Sequence, residues 1–437
     1  YNAISSYALH PIYSGLSQFP IKDKLMLKQF EQEAEELNQL QFLDYKRVYD
    51  LKRRYTKQLF VEQGNDTISS KEFKDFYVNN KSWLFPYSVF CYLRDKHNTA
   101  HFPNWRENAT YNESKIKQLL KNNPTAKSSF NYYCFVQFLL DKQLKETTAY
   151  AHSKGVSLKG DIPIGINRDS IEAWTAPHLF NLDTQTGAPP DDFSVFGQNW
   201  GFPTYNWKVM ESENYNWWRN RFQKMEDYFD AYRIDHILGF FRIWEIPLHS
   251  VQGLLGHFSP AMPYHAEELR MAGIAFDEQR MTKPFIHQSF LNNLFGEYTE
   301  EVIENYLNEK EDQLFNLKEE VDTQRKIQQL FLNYSDEKSE KIRDGLYALC
   351  NEVLFVRDRT NDKRFHPRIT AYNTYSYKFL DENTRTAFYN LYEDFFYHRH
   401  NYFWSEEAMK KLPALISYTK MICCGEDLGV VHDCVPS

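Results

Sequence analysis

The chain has 437 residues, 42% of them hydrophobic and 17% aromatic, with a formal net charge of −8. That length exceeds an ordinary domain, yet one α/β barrel can hold it, and the apolar fraction is ample for a large core. Negative charge without a Lys/Arg-rich block argues against a nucleic-acid partner, and no apolar run approaches the roughly 20 residues that cross a membrane.

The chain opens Tyr1-Asn2-Ala3-Ile4, with neither a charged leader nor an apolar one, and not with Met. The expectation is a piece cut from something longer, without a signal peptide. Ser69-x-x-Glu72 and Thr110-x-x-Glu113 fit the capping box and predict helix starts. Residues 160–164 (G-D-I-P-I) read as a short buried strand carrying a carboxylate. From 187 to 207 the sequence is dense in Pro, Gly and aromatics with no period, which predicts a long shaped loop. Residues 229–235 (F-D-A-Y-R-I-D) read as a second buried strand. The region from about 290 to 341 mixes Glu, Lys, Gln and Leu as solvated helices do. Between 383 and 404, Phe388, Leu391, Tyr392, Phe395 and Phe396 recur at helical spacing on one face. Residues 421–426 (M-I-C-C-G-E) form a third strand, again ending on a carboxylate. Short buried strands alternating with helices predict a parallel sheet, and the polar strand ends are where a (β/α)8 barrel keeps its active site.

Six cysteines show no C-x-x-C pair and no regular spacing, which fits buried free thiols in a reducing compartment. The 30 Tyr, 34 Phe and 9 Trp are expected mostly in the core, with a surplus available to stack on sugar rings.

Two carboxylates stand out chemically. In a strand, Arg233 and Asp235 point to the same side, and an Arg beside a carboxylate favours its ionised form. An ionised carboxylate is what a glycosidic nucleophile must be. Glu426 follows an apolar strand and sits between Gly425 and Gly429, where loss of water would favour its protonated form. Retaining glycosyl transfer needs such a pair, roughly 5–5.5 Å apart. Taken alone, an R-x-D string is more often a surface ion pair at a strand end, and E-D-L-G is a short string that many loops carry.

Five strings together resemble the amylomaltase family, the 4-alpha-glucanotransferases also called disproportionating enzymes. They are G-D-I-P-I (160–164), D-S-I-E-A-W (169–174), P-P-D-D-F-S-V-F-G-Q-N-W-G-F-P (189–203), Y-R-I-D-H-x-x-G-F-F-R-I-W-E-I-P (232–247) and G-E-D-L-G-V (425–430). The opening Y-N-A-I-S-S-Y-A-L-H-P (1–11) is similar to the family's early S-P-Y segment, entered at its Tyr. The resemblance implies a (β/α)8 barrel and a double displacement without metal or organic cofactor. It makes Asp235 the nucleophile and Glu426 the acid/base. It places Arg233 and Asp161 on the sugar at the cleaved subsite, with His236, Gln198 and Trp200 lining the cleft. Tyr1 would reach in from the first strand's loop, and the P-P-D-D-F loop with Asp191 would cover the acceptor side.

The long stretch between Asp235 and Glu426, with H-S-V-Q-G-L-L-G-H-F-S-P-A-M-P (249–263) and R-H-N-Y-F-W-S-E-E-A-M (399–409), resembles the insertion-bearing branch that includes the plant cytosolic disproportionating enzyme. That resemblance implies glucosyl transfer from maltose to a polysaccharide-like acceptor, starch-binding modules upstream and a cytoplasmic location. It divides the chain into barrel at 1–248, a mostly helical insertion at 249–412, and a barrel strand with the acid/base at 413–437. The family's third catalytic Asp, preceded by His, has no counterpart after Glu426, so the expectation is a barrel cut before its last strands and inactive alone. The competing functions are an α-amylase-type retaining hydrolase, which the carboxylate pair alone does not separate from a transferase, and a non-catalytic glucan-binding protein.

Overall fold

Three short strands, Lys159–Ile162, Ala231–Ile234 and Ile422–Gly425, lie side by side in a parallel sheet, with 231–234 in the middle. Each falls within a residue or two of the strand its apolar run predicts. The computed structural model describes residues 3–428 and divides into two units. One runs through Phe180 and adds Asn206–Asp235 and Leu415–Gly425; the other takes Asn181–Tyr205, His236–Ala414 and the chain from Glu426. Among the described residues the parallel sheet has three strands and does not close on itself, so the architecture on view is mixed α/β.

In the first unit, the helices Lys24–Asn38, Tyr45–Ser69, Lys71–His97, Glu113–Asn122 and Pro124–Ser153 precede the sheet. Asp23, Asp44, Ser70, Asn112 and Asn123 cap them, each accepting a first-turn backbone N–H. The caps at Ser70 and Asn112 correct the Ser69 and Thr110 starts expected from spacing. Ser69 still belongs to the preceding helix, and Glu72 and Glu113 fall in the first turn, where they favour the positive helix end. The core is aromatic: Phe90, Trp105 and Trp174 meet edge to face at 4.8–5.7 Å. Trp174 comes from the D-S-I-E-A-W string, whose other members are structural too. Ser170 caps the helix Ile171–Thr175, and buried Glu172 accepts the Ser6 N–H at 2.7 Å.

Gly160 lets the sheet sit against the helix that follows Asn216. A Cβ built there would lie 2.7 Å from the Phe229 ring and 2.8 Å from Met225 Cε. The register sets Asp161 directly opposite Arg233, and Gly425 opposite Ile234. Asp235 and Glu426 therefore each come one residue after a paired position on neighbouring strands.

The second unit holds an antiparallel sheet in the order Gln198–Asn199, Thr184–Ala188, Ile243–Pro247, His257–Ser259. The 187–207 stretch is thus a loop between short strands, not an unpaired excursion. At Gly187 a Cβ would fall 2.0 Å from the Gln198 carbonyl oxygen, so glycine is required for that pairing. Two further cores follow. One gathers Phe290, Leu291, Phe295 and Leu346; the other gathers Phe355, Phe365, Phe388 and Phe395. The charge-dense region forms helices as expected, but also an antiparallel pair, Leu307–Glu309 with Leu314–Leu317. Its two short strands bury only Leu307 and Phe315, too little alternation to register against the surrounding Glu and Lys.

Phe388, Leu391, Tyr392 and Phe395 are buried on one face as the spacing predicts. A π-helical turn at Asp394–His398 leaves Phe396 only partly so. Just beyond it, buried His400 is held at both ring nitrogens: Nδ1–H donates to the Phe395 carbonyl at 2.8 Å, and Nε2 accepts the Met262 N–H at 2.9 Å. Cys91, Cys134 and Cys350 are free and buried, whereas Cys423 and Cys424 are half-buried; Cys434 lies outside the described residues. No helix among the described residues is long and apolar enough to cross a membrane.

Candidate active site

Two constellations contain most of the residues that the sequence singles out, one in each unit. In the first, cross-strand register does the positioning. Because Asp161 faces Arg233 across the ladder, the Arg233 fork donates to both Asp161 oxygens, Nε and Nη2 each at 2.9 Å. The same Nη2 reaches Asp235 Oδ1 at 3.2 Å. Arg233 and Asp235 share a strand face, as period two requires. The Asp235 backbone N–H continues the ladder to the Ile162 carbonyl at 3.0 Å. Exposure falls along the series: side chains are 59% exposed at Asp161, 39% at Arg233 and 19% at Asp235. The arginine links an open carboxylate to a sheltered one. Partly exposed pairs of this kind add at most about 1 kcal/mol of stability, so the arrangement matters for orientation and charge.

In the second unit, the chain turns sharply straight after Asp235. His236 adopts φ 51°, ψ 60°, a left-handed conformation that non-glycine residues rarely take. Its N–H donates to Glu426 Oε2 at 2.6 Å, and the Ile237 N–H donates to the Glu426 carbonyl at 2.9 Å. The Trp200 ring meets the His236 imidazole edge-on at 5.3 Å, and its indole N–H donates to Gln198 Oε1 at 3.0 Å. Gln198, Trp200, His236 and Glu426 therefore form one continuous set of contacts. Burial lowers the pKa of His236 below its ordinary value; the Glu426 carboxylate opposes this and Arg242 reinforces it. Strain of this sort at a strand end is characteristic of functional turns.

Asp191 is not drawn into that set: its Oδ1 accepts the Phe193 and Ser194 N–H groups at 2.9 and 2.7 Å, shaping a turn. The turn presents Phe193, 97% exposed. Tyr1 lies outside the described residues. Sequence reasoning missed Glu245 and Arg359, which pair at 3.2 Å inside the second unit. Glu245 also accepts the Thr204 hydroxyl at 2.6 Å. Nothing short of a structure joins positions so far apart in the chain.

A family profile described as 4-alpha-glucanotransferase matches residues 1–437. The 4-alpha-glucanotransferase DPE2 of Oryza sativa subsp. japonica is 38% identical over 440 residues, covering 100% of this chain and 46% of that protein. The 4-alpha-glucanotransferase of Chlamydia muridarum is 33% identical over 246 residues, 56% of this chain and 46% of its own. This chain thus spans about half the length of the curated relatives it matches. Among solved structures, an amylomaltase from Streptococcus agalactiae in complex with acarbose aligns with a TM-score of 0.52 at 19% identity. That alignment covers 90% of this chain and 87% of the other, and is a likeness of fold.

Proposed function

Because the chain belongs to the 4-alpha-glucanotransferase family, we propose that it supplies the nucleophile and the acid/base of an enzyme moving glucosyl units between α-glucans. The donor is maltose or a maltodextrin, and the acceptor is an α-glucan or oligosaccharide. The observation that carries this reading is the Arg233 fork, which ties Asp161 to Asp235 and keeps a positive charge beside the carboxylate that must attack.

In this mechanism an Asp235 oxygen attacks the anomeric carbon while the bond to the leaving oxygen breaks, and Glu426 gives that oxygen its proton. The acceptor hydroxyl then returns a proton to the Glu426 carboxylate and attacks the same carbon, and the ester to Asp235 breaks. Two inversions give net retention. These steps call for no metal or organic cofactor. Asp161 and Arg233 hold sugar hydroxyls at the cleaved unit, and His236, Gln198 and Trp200 line the sugar path. The resemblance adds Tyr1, which lies outside the described residues, and the loop carrying Asp191 covers the acceptor side. The parallel sheet is part of a (β/α)8 barrel spanning residues 1–248 and 413–437, with 249–412 as its insertion. The whole protein carries starch-binding modules upstream and works on maltose in the cytoplasm.

The test is to incubate the full-length protein with maltose and an oligosaccharide acceptor and resolve products by chain length. Glucose release coupled to acceptor elongation, absent in Asp235→Asn, is the expected result. Glucose without elongation identifies a hydrolase and overturns the acceptor role of the 187–207 loop.

A further inference from the structure

The second unit contains an open cleft of about 1110 Å³ whose walls come from three structural layers. The antiparallel sheet contributes Glu245 and Pro247. The core around Phe290 contributes Phe315, and the core around Phe388 contributes Phe355. Seams between separately packed modules are common places for ligands, and this volume lies just above the roughly 300–1,000 Å³ typical of small-molecule sites. It has room for an oligosaccharide. Neither Asp235 nor Glu426 lines it.

The chemistry of the walls selects among ligands. Arg359 bridges Glu245 and Asp183, each at 3.2 Å. Arg357 pairs with Glu278, and Asp358 with His366 at 3.0 Å. An ionic ligand at Arg359 or Arg357 would compete with a carboxylate already in place, although these pairs are partly exposed and each is worth at most about 1 kcal/mol. A neutral polyol would not. It can use the hydrogen-bonding capacity left on such pairs, together with the amides of Gln279 and Asn316, and lay its C–H faces on the half-buried Leu314 and Leu317. The Arg280 guanidinium, stacked 3.7 Å over Phe285 and tied to Ser376, stiffens one rim.

We propose that this cleft is a second carbohydrate site, which takes a neutral α-linked oligosaccharide of the maltodextrin class. The assignment rests on the glucan-transfer reading for the choice of sugar; the form of the site rests on the paired charges and the apolar floor. Such a site holds a glucan chain on the insertion while other parts of the same chain are transferred.

Maltotriose is added to the full-length Asp235→Asn protein, and amide hydrogen exchange is followed by peptide. Protection is expected at residues 279–286 and 355–359. It should vanish there, and only there, in the Asp235→Asn/Glu245→Gln/Arg359→Met protein. The amide introduced by Glu245→Gln keeps an acceptor for Thr204, so no buried charge is stranded; the parent protein's own protection pattern stands if this variant fails to fold. Protection confined to residues 160–162, 198–202 and 231–236 overturns the second site, as does protection of the cleft by inorganic phosphate but not maltotriose. If the unaltered protein transfers glucose from maltose while the cleft peptides stay unprotected, this inference alone fails. If it neither transfers glucose nor binds maltotriose, the proposed function fails with it.

Discussion

Arg233 is a single side chain asked to satisfy two carboxylates at once, and only a planar fork can do that. Its Nε and Nη2 reach Asp161 in parallel while Nη2 also reaches Asp235. Lysine carries the same charge as a point on a flexible stem and cannot reproduce the geometry. Arg233→Lys should therefore keep the protein folded, yet lower kcat/KM for transfer from maltose by about 10²-fold, the scale of a roughly 1 Å misplacement. Steady-state kinetics alongside a melting curve check this; near-normal kcat/KM would remove the fork from the mechanism. At this scale the sequence was informative where chemistry is local. Arg233 and Asp235 share a face because strands have period two, and that could be read directly. The contact from His236 N–H to Glu426 could not, since it depends on a left-handed turn that a non-glycine residue gives no warning of.

At the scale of elements, the parallel strands depend on a residue with no side chain. Gly160 lies under Phe229 and Met225, and its backbone angles suit any residue, so crowding alone opposes a substitution. Gly160→Ala should lower stability by about 1–3 kcal/mol, the usual range for overpacking, read as a shift in the urea midpoint. An unchanged midpoint would mean that the Phe229 ring moves aside freely. The three parallel strands were legible to within a residue or two because burial marks them as short apolar runs, whereas the stretch read as one helix over 383–404 is broken by the turn at Asp394–His398. Caps were legible only as neighbourhoods: Ser69 and Ser70 both offer a hydroxyl, and the winner is decided by where the preceding helix ends. The 307–317 hairpin was hidden because its few inward residues are outnumbered by exposed charge.

For the whole molecule, acid should be the weak point. His400 has a pKa lowered to about 4 and His366 to about 3, in both cases chiefly by burial. Above the ordinary value of 6.5 both are neutral whether folded or not. Below it the unfolded chain takes up protons that the folded chain refuses, so the contribution to stability is lost as pH falls from about 6.5 towards about 4. His400 cannot accept a proton in place, because Nε2 already receives the Met262 N–H. Melting temperature should fall by on the order of 5 °C between about pH 7 and pH 5, and by less in His400→Gln, whose amide can donate and accept at the same two points. A flat profile in the unaltered protein would remove the two imidazoles from the account. Another consequence concerns time. The Leu9 backbone exchanges hydrogen bonds with Gln137, the Ser6 N–H donates to Glu172, and the Ile4 carbonyl accepts the Ile171 N–H. During synthesis at roughly 5–20 residues per second, this early segment waits on the order of ten seconds for its partners to be made. Through that interval residues 4–9 have no native seat, and a nascent chain is more open there to proteases and chaperones than it is once Glu172 has emerged.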